Sequence, residues 1–574
     1  MYNLKLFWSF LDNNQKIYFF YIVFLMIIQA VLEILSIALI IPFTALILDP
    51  TQETNLLIFD NLNFIFEDYE RESLLPICAF IFLLIFIIKN FSLIFIYNIF
   101  FNYSKRVRAS LSTKLLSKYL KQDYEYFVKT SFSKIQANLI NEITTFLYNF
   151  LIPFQIILSE GIIFIFIIIL LFVTNNLGGV LIVLPTFIIV ALIVKFLNKK
   201  VKILGEERVI NNRDNAKLTH YVLLGVRDIL LMGKTKKILN YFNNLQLKIG
   251  ELEAKFQLIR LLPKNFIEVF GLLTFLLLVI FLFNQGNKNN EIITTLTFYF
   301  FVAYRILPSI NKILTNYQAM MFSKNSVSII GNDLNLQDKI DISDEIDLNI
   351  NLEKNIILRN VSFSYKENQK ILDKINIKIQ KGEIIGIQGA SGSGKTTLLN
   401  IISSLSKPSN GDVIVDDKVL SSKKDIRAYQ NLISLISQDT FLIEGSIKEN
   451  ILLGNDNMYD DEKFKKCLEF SLVKDFLSAL PNGINTLIGT NSKTISSGQK
   501  QRIAIARHLY SNKDLLIFDE ATNAIDEKNE NIIIDNIKNL KSHKTIIIVS
   551  HNSTNLKICD KIFYLNSGVL KEKK

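Results

Sequence analysis

The segment Gly389-Ala-Ser-Gly-Ser-Gly-Lys395-Thr396-Thr397 decides how the C-terminal part of this chain is interpreted. It fits the pattern G-x-x-x-x-G-K-[ST], which forms a phosphate-binding loop between a strand and a helix. The run 383–388 before it is typical of a buried strand, and the run 396–402 is typical of the first turns of a helix. The sequence therefore predicts a strand–loop–helix unit that binds the phosphates of a nucleotide.

The loop supplies three kinds of phosphate ligand. Its glycines let backbone N–H groups close around the phosphates, and the following helix adds a favourable partial charge at its N-terminus. Lys395 is expected to meet the β- and γ-phosphates, and Thr396 to hold Mg²⁺. ATP and Mg²⁺ are therefore the predicted cofactors. The predicted nucleotide ligands in the loop are Gly389, Ser391, Gly392, Gly394, Lys395, Thr396 and Thr397.

The composition indicates a membrane protein with more than one domain. A chain of 574 residues is too long for a single core, and half of its residues are hydrophobic. The long apolar runs lie in the first 325 residues, and basic cytoplasmic loops explain the net charge of +11. The sequence has no compact basic and aromatic patch, so nucleic-acid binding is not predicted. Its three cysteines are too far apart for a metal site, and nothing indicates disulfides.

The apolar runs predict six membrane-spanning helices. A bilayer core needs about 20 apolar residues per helix, and the first run is too long for the core of a signal peptide. Positions 104–134 are rich in Lys and Arg, whereas positions 49–71 are acidic. Both termini and the stretches 104–143 and 199–262 are therefore predicted to be cytoplasmic. The predicted spans are 17–48, 74–103, 144–174, 178–198, 263–284 and 292–322.

Three connecting segments have predicted roles. Each cytoplasmic stretch is expected to hold a short turn that touches the next domain, near Gln122–Tyr126 and near Gly225–Leu231. The outer segment 55–67 is amphipathic. Its pattern is compatible with a short helix on the membrane surface and equally with an ordinary loop helix packed on the span ends.

Ionisable residues inside predicted spans are costly and are therefore candidates for function. One interpretation is a hydrated cavity in which Lys89 and Arg305 attract an anionic substrate. The other is internal pairing, for example of Lys89 or Arg305 with Glu33 or Glu268. The residues of this kind are Glu33, Lys89, Glu160, Glu268 and Arg305.

A polar, acidic stretch separates the apolar part from a region of alternating strands and helices. The predicted division is a transmembrane domain at 1–325, a linker at 326–353 and a nucleotide-binding domain at 354–574. The predicted fold class is an α-helical polytopic membrane domain followed by an α/β P-loop ATPase domain. The predicted strands are 356–365, 371–379, 383–388, 412–416, 514–518, 545–549 and 562–565.

Further motifs accompany the phosphate loop. Tyr365 is suited to stacking on adenine, with an ordinary strand tyrosine as the alternative. Gln438 follows a strand and is expected to reach Mg²⁺ and the attacking water. Asp519 ends a buried strand and suits the Mg²⁺ shell, and Glu520 suits positioning or deprotonating water. His551 lies at another strand end and is expected near the γ-phosphate.

The segment Ile495-Ser-Ser-Gly-Gln499 opens a basic amphipathic helix whose N-terminus suits a γ-phosphate. Together with Asp526, these motifs resemble the full set of an ABC transporter nucleotide-binding domain, and the spans resemble a type IV exporter half-transporter. The resemblance covers the whole chain. It implies a head-to-tail homodimer that alternates access as ATP binds and is hydrolysed. ATP would lie between the phosphate loop of one chain and Ser496, Ser497, Gly498 and Gln499 of the other.

The signature segment departs from the family at one position. The usual sequence is L-S-G-G-Q, and Ser497 stands where the first glycine is expected. The change is small if φ is negative at this residue and costly if φ is positive.

The membrane domain carries a weaker resemblance that concerns the cargo. The strings Arg305–Lys312, Leu314–Tyr317 and Glu33–Pro42, with the basic residue Lys89, are similar to the bacterial lipid-linked oligosaccharide flippases of protein N-glycosylation. This resemblance implies a polyprenyl-diphosphate oligosaccharide substrate, contact with membrane lipids and a bacterial inner-membrane location. The alternatives are an exporter of another cargo, such as a lipid A-like lipid, a peptide or a drug, and a non-transporting channel or regulator. The presence of Glu520 disfavours the last.

Overall fold

The protein, described here by a computed structural model, divides into two compact units. The first comprises Met1–Leu120 and Thr130–Leu336, and the second comprises Lys121–Lys129 and Gln337–Lys574. The structure describes residues 2–40, 43–44, 47, 71–173, 177–284, 289–340, 350–366, 369–454, 459–489 and 495–573. The amphipathic segment 55–67 lies outside the described residues.

The first unit is helical throughout its described residues. Among these described residues, four helical segments are long and apolar enough to cross a membrane, namely Asn13–Ala38, Pro76–Leu120, Phe132–Phe172 and Thr235–Ile280. The α-helices that precede the first strand are α1 (Tyr2–Phe10), α2 (Asn13–Ala38), α3 (Arg71–Leu120), α4 (Tyr124–Lys129), α5 (Phe132–Ala137), α6 (Ile143–Phe146), α7 (Ile152–Val173), α8 (Leu177–Leu224), α9 (Val226–Leu231), α10 (Thr235–Asn284), α11 (Asn289–Phe322) and α12 (Lys324–Leu334). Of these, the short helix α4 belongs to the second unit. The predicted fourth and sixth spans fall in α8 and α11, and the total of six stays a prediction.

The core of the first unit is apolar because its helices are apolar on more than one side. Ala30 of α2, Ile163 of α7, Ile267 of α10 and Val302 of α11 belong to one buried cluster. Packing these four helices together removes their facing surfaces from both water and lipid. This cluster holds the polar residues of α2, α7 and α11 in fixed positions.

A buried ion pair joins three further helical segments of the first unit. Residues 138–142 form a π-helical turn between α5 and α6, and Glu142 ends it. Its carboxylate accepts hydrogen bonds from Arg208 of α8 at 3.1 Å and from Ser326 of α12 at 2.6 Å. Arg208 also donates to Thr145 at 2.7 Å. Because all four side chains are buried, each charge depends on the other for compensation.

The second unit is built on a six-stranded sheet in the order β12-β11-β3-β10-β9-β6. Five strands run parallel, and β12 pairs antiparallel with β11. A four-stranded sheet has the order β2-β1-β4-β5, and β7 pairs with β8. The strands are β1 (Asn355–Lys366), β2 (Gln369–Gln380), β3 (Ile384–Gly389), β4 (Asn410–Val415), β5 (Lys418–Val419), β6 (Ile433–Ile436), β7 (Gly445–Ser446), β8 (Leu487–Ile488), β9 (Leu515–Asp519), β10 (Thr545–Val549), β11 (Lys561–Asn566) and β12 (Val569–Lys573).

Helices alternate with strands along the second unit, as expected for an α/β domain. They are α13 (Lys395–Ile402), α14 (Lys423–Gln430), α15 (Ile447–Leu452), α16 (Asp461–Phe470), α17 (Lys474–Leu477), α18 (Ser497–Tyr510) and α19 (Glu527–Lys538). The apolar strands β3, β9 and β10 are buried along their length, which suits strands covered on both faces.

The predicted fold class is confirmed, and so are the seven predicted strands, with ends that differ by up to two residues. Strand β6 was anticipated only as the strand that Gln438 follows, without a range, and the short strands β5, β7 and β8 and the edge strand β12 were not predicted. Short helices occupy both predicted cytoplasmic turns, at α4 and α9. The predicted linker begins inside α12, which belongs to the first unit. The domain boundaries proposed from the sequence stay predictions.

Replacing Glu142 with leucine is expected to destabilise the first unit strongly. The substitution leaves the buried Arg208 guanidinium without its carboxylate, which typically costs about 3–5 kcal/mol. The matched control is Glu206→Leu, because Glu206 forms an exposed pair with Lys202 at 3.6 Å and such pairs contribute about 0–1 kcal/mol. Thermal unfolding of the purified protein should show a large fall in Tm for the first variant and little change for the second. Equal Tm values would contradict this assignment.

Candidate functional site

The phosphate loop connects β3 to α13 with a backbone that requires glycine. Gly392 and Gly394 have φ of +77° and +103°, in the left-handed region where side chains are strained. A Cβ on Gly389 would lie 2.5 Å from the carbonyl oxygen of Leu565, so a side chain cannot fit there. Three of the predicted loop glycines are therefore needed for the shape of the loop itself.

Lys395, the first residue of α13, is buried and is held above the loop. Its Nζ donates to the carbonyl oxygens of Gly389 at 3.0 Å and Ala390 at 3.2 Å. It also lies 3.8 Å from Oε1 of Glu520 and 3.2 Å from Nε2 of His551. The ammonium group thus lies beside carbonyl oxygens and a carboxylate that phosphate oxygens are able to replace as its acceptors.

A buried hydroxyl in the same loop lacks a partner. Ser393 is buried, and its Oγ forms no hydrogen bond within the described part of the chain. Buried polar atoms are normally satisfied, so an orphaned hydroxyl in this loop fits a ligand rich in acceptor oxygens. The loop glycines, Lys395 and Ser393 therefore fit the triphosphate of ATP.

The carboxylates come from the end of β9, beside β10. Asp519 ends β9 and pairs with Val549, the last residue of β10, so both strands end at one edge of the sheet. Glu520 follows with φ of +51°, and its N–H donates to the Val549 carbonyl at 3.0 Å. A left-handed conformation at a non-glycine residue costs about 1–3 kcal/mol and persists where neighbouring structure holds it. The turn aims the Glu520 side chain at the residues that follow β3 and β10.

His551 and Asn523 fix the orientation of Glu520. The Nε2 atom of His551 lies 2.8 Å from Oε1 of Glu520, and Asn523 donates to Oε2 at 3.1 Å. The structure therefore brings together Lys395, Glu520 and His551, which the sequence placed in separate motifs. Asn523 was not assigned a role from the sequence, although it lies in the turn directly after the carboxylates.

Asp519 has a raised pKa. Its partial burial is the main cause, the neighbouring charge of Glu520 adds to it, and Lys395 opposes it. A cation beside Asp519 would relieve this repulsion, which fits the predicted Mg²⁺ role. No group of three or more His, Cys, Asp or Glu side chains suitable for a metal occurs in the described residues. Mg²⁺ at nucleotide sites uses one or two carboxylates together with substrate phosphates, so no such group is needed.

The remaining predicted Mg²⁺ ligands lie at compatible places in the fold. Thr396 is exposed in the first turn of α13. Gln438 is exposed two residues after β6, which neighbours β9 in the parallel sheet. The carboxyl ends of neighbouring parallel strands share an edge, so Gln438 lies at the edge that carries Asp519. Their roles as metal ligands stay predictions.

The signature segment caps α18. The side chain of Ser496 accepts a hydrogen bond from the N–H of Gln499 at 3.3 Å, and Gln499 accepts one from the N–H of Ser496 at 2.8 Å. Ser497 is the first residue of the helix and has no positive φ. Gly498 is different, because a Cβ there would lie 2.7 Å from the carbonyl oxygen of Ala524. The backbone at position 497 therefore accepts a side chain such as serine, whereas position 498 requires glycine.

Two predicted residues have structural contacts of their own. Tyr365 lies next to the end of β1 and packs against the core, with its ring 4.9 Å from that of Phe363. Asp526 caps α19 by accepting a hydrogen bond from the N–H of Asn529 at 3.2 Å. Stacking of Tyr365 on adenine stays a prediction.

A cavity of about 600 Å³ lies in the first unit and contains both predicted substrate residues. Lys89 donates to Oε1 of Glu33 at 3.3 Å, and Nε of Arg305 donates to the same oxygen at 2.5 Å. Arg305 also pairs with Glu160 at 3.1 Å. The internal pairing considered from the sequence is therefore present, and the cavity is not lined by bare positive charge.

Of the two alternative partners considered from the sequence, Glu33 pairs with Lys89 and Arg305, and Glu268 does not pair with either of them in the described residues. Glu268 is exposed and lies 3.8 Å from Lys264 on its own helix. Sequence reasoning also missed Lys312, which lies 2.7 Å from Glu160. Its signal was its spacing of seven residues from Arg305, which places both on one face of α11.

Comparison with known proteins agrees with this site. Residues 372–523 match the ABC transporter family. The chain is 40% identical over 219 residues to the alpha-hemolysin translocation ATP-binding protein HlyB of Escherichia coli O6:H1, a match that covers 38% of this chain and 31% of HlyB. It is 38% identical over 216 residues to the ABC multidrug transporter MDR5 of Trichophyton rubrum, covering 37% of this chain and 17% of that protein. The chain thus spans less than a third of either relative.

The structure is similar to that of a bacterial Atm1-family ABC exporter with ATP bound. The TM-score is 0.79 at 17% sequence identity, covering 98% of this chain and 95% of that one. This likeness shows the fold of the whole chain. Together with the family match over residues 372–523, it shows an ABC exporter fold in which a helical region is followed by a domain with the ABC ATPase fold.

Gly498→Ala is expected to impair ATP hydrolysis severely, whereas Ser497→Gly should leave it close to wild type. The alanine Cβ meets a backbone oxygen and displaces the start of α18, while the serine position has ordinary helical φ. Steady-state phosphate release by the two purified variants compares neighbouring positions directly. Normal hydrolysis by Gly498→Ala would show that the start of α18 is not part of the site.

Glu520→Gln is expected to abolish turnover while ATP still binds. The amide keeps the size of the side chain but cannot accept a proton from water. Equilibrium binding of a fluorescent ATP analogue and steady-state hydrolysis should be measured on the same preparation. Substantial hydrolysis by this variant would overturn the role of Glu520.

Proposed function

Because the chain carries an ABC ATPase domain on an exporter fold, we propose that it is one half of an ATP-driven exporter. The observation that carries this proposal is the convergence of Lys395, Glu520 and His551 on the phosphate loop. The proposed location is the bacterial inner membrane, with the ATPase domain and both termini in the cytoplasm. The apolar helical segments of the first unit support a membrane location.

In this proposal each residue of the ATP site has its own task. Lys395 binds the β- and γ-phosphates and offsets their charge. Glu520 orients the attacking water and accepts its proton, and the contact with His551 keeps the carboxylate in that direction. Mg²⁺, when bound beside Asp519 and Thr396, supplies further charge neutralisation on the phosphates.

Two exposed features support a homodimer. The N-terminus of α18 is exposed at Ser496 and Ser497, and in the proposed dimer it completes the ATP site of the partner chain. The short helix α9 ends in Leu230, Leu231 and Met232, which are 63%, 77% and 70% exposed. Exposed apolar side chains between the polar ends of α8 and α10 favour contact with another protein surface, and a second copy of this chain would provide that surface.

The proposed cargo is a lipid-linked oligosaccharide carried on a polyprenyl diphosphate. The cavity walls are aromatic and aliphatic, which suits a prenyl chain. The ion-pair cluster that reaches the cavity through Glu33, Lys89 and Arg305 also contains Glu160 and Lys312, so its three cations and two carboxylates leave one positive charge in excess. An anionic headgroup beside these cations would compensate the excess in a medium of low dielectric constant.

The second candidate is export of another cargo, such as a lipid A-like lipid, a peptide or a drug. The observation in its favour is that Glu33 and Glu160 already compensate most of the positive charge in the cavity. A site that is largely neutral and apolar would also accept uncharged amphiphiles.

Transport by the purified protein in liposomes separates the two candidates. A fluorescent polyprenyl-diphosphate oligosaccharide should lose accessibility in one leaflet when ATP and Mg²⁺ are added to wild type. The Glu520→Gln variant should show no such loss. ATP hydrolysis without any change in the accessibility of the lipid would contradict the lipid-linked oligosaccharide as cargo and would favour the second candidate.

Arg305→Ala is expected to reduce transport more than basal ATP hydrolysis, because Arg305 lines the cavity and not the ATP site. The matched control is Lys264→Ala, which removes an exposed cation of α10 that is paired with Glu268. Both rates should be measured in the same liposomes. An equal loss of transport and hydrolysis in Arg305→Ala would indicate a structural role for the arginine.

A further inference from the structure

The two buried carboxylates of the ion-pair cluster beside the membrane cavity have different surroundings. Glu160 is surrounded by fixed donors: Lys312 at 2.7 Å on Oε1, with Ser309 at 2.7 Å and Arg305 at 3.1 Å on Oε2. It is 2% exposed and does not line the cavity. Both of its oxygens are thus engaged within the protein, and Glu160 anchors α7 to α11.

Glu33, in contrast, lines the cavity and uses a single oxygen. Its Oε1 accepts both Lys89 at 3.3 Å and Nε of Arg305 at 2.5 Å, and no hydrogen bond to Oε2 is formed by the described residues. Both donors line the cavity as well. Every partner in this three-residue contact can therefore be reached by a molecule in the cavity.

The geometry of Arg305 leaves capacity for another acceptor. Its Nε and Nη1 are engaged by Glu33, Glu160 and Ser309, while Nη2 donates no hydrogen bond within the described ranges. A guanidinium pairs well with two oxygens of one phosphate or carboxylate. A phosphate that bound Nε and Nη2 together would take the place that Glu33 Oε1 occupies.

The energetics favour an exchange of partners over simple addition. Cations buried in a low-dielectric site need an anion close by, and Glu33 meets this need for both Lys89 and Arg305. A headgroup with two or more negative charges supplies more oxygens to the same donors. The headgroup and Glu33 repel each other, so they cannot both occupy this position at low cost.

We propose that Glu33 is a built-in substitute for the anionic headgroup of the cargo. It holds Lys89 and Arg305 when no cargo is bound, yields them to a diphosphate, and competes for them again when the cargo leaves. Glu33 is then a specificity-determining residue, because only a ligand with enough negative charge displaces it. This inference rests on the proposed export of an anionic amphiphile and adds how that site admits and releases it.

A binding experiment in lipid nanodiscs tests the proposal with two probes that share one tail. Geranylgeranyl diphosphate carries the anion, and geranylgeraniol lacks it. The Glu33→Gln variant keeps the shape of the side chain and removes the competing charge. It is expected to bind the diphosphate about tenfold more tightly than wild type, within the range of measured couplings between protein sites, with affinity for the alcohol unchanged. If Glu33 had only a structural role, Glu33→Gln would bind both probes more weakly than wild type.

Two matched variants control for net charge. Glu268→Gln removes one negative charge at an exposed position of the same unit and is expected to leave both affinities unchanged. Glu160→Gln removes a buried negative charge from the same cluster but leaves the Glu33 carboxylate in contact with Lys89 and Arg305. Tightening by Glu160→Gln equal to that of Glu33→Gln would overturn the proposal, because the effect would then come from charge alone.

The outcomes separate this proposal from the proposed cargo. Wild type that binds the diphosphate and the alcohol equally would overturn the anionic cargo and the inference with it. Wild type that prefers the diphosphate, with no gain in Glu33→Gln, would overturn the inference alone. If Glu33→Gln does not purify as a monodisperse protein, Glu33→Asp retracts the carboxylate by one methylene. It is expected to tighten diphosphate binding by a smaller factor, and weaker binding would overturn the proposal.

Discussion

A charge taken out of water must have a partner, and this constraint organises both units of the protein. An unpaired buried ion costs several kcal/mol even after the surroundings relax, a large share of the free energy that holds a domain folded. In the first unit, Arg208 is tied to Glu142, and the cavity cations are tied to Glu33 and Glu160. In the second unit, Lys395 is held by loop carbonyls and by Glu520.

The clusters differ in whether the partner can be exchanged. Arg208 and Glu142 are enclosed by protein, and their contact acts as a fixed joint between helices. Lys395 lies at the start of α13, directly after the phosphate loop, where phosphate oxygens are able to replace its present acceptors. Glu33, Lys89 and Arg305 all line the cavity, so an anionic ligand there is able to replace Glu33 as the partner of the two cations. In this account, ATP and cargo act by the same physical step, which is to take over a buried cation from a partner in the protein.

The nucleotide site was predictable because its geometry is local. The loop glycines, the strand that ends at Asp519 and the cap at Ser496 are each defined by a few neighbouring residues whose backbone requirements appear in the sequence. The cavity was less predictable. Helices that are apolar on most sides give no strong signal for their rotation, so the sequence left open whether Lys89 faces Glu33 or Glu268. Two-residue strands such as β5 depend on tertiary pairing and have no pattern of their own.

We propose that an anionic amphiphile in the cavity and ATP in the second unit act on the same transport cycle. Coupling of this kind is reciprocal, so cargo binding must change the behaviour of the ATP site. The most direct test is the steady-state rate of ATP hydrolysis by wild type in nanodiscs as geranylgeranyl diphosphate is added. The account predicts a saturable change in rate with the diphosphate and none with geranylgeraniol. A rate that stays constant across the diphosphate titration, while the lipid is shown to bind, would contradict it.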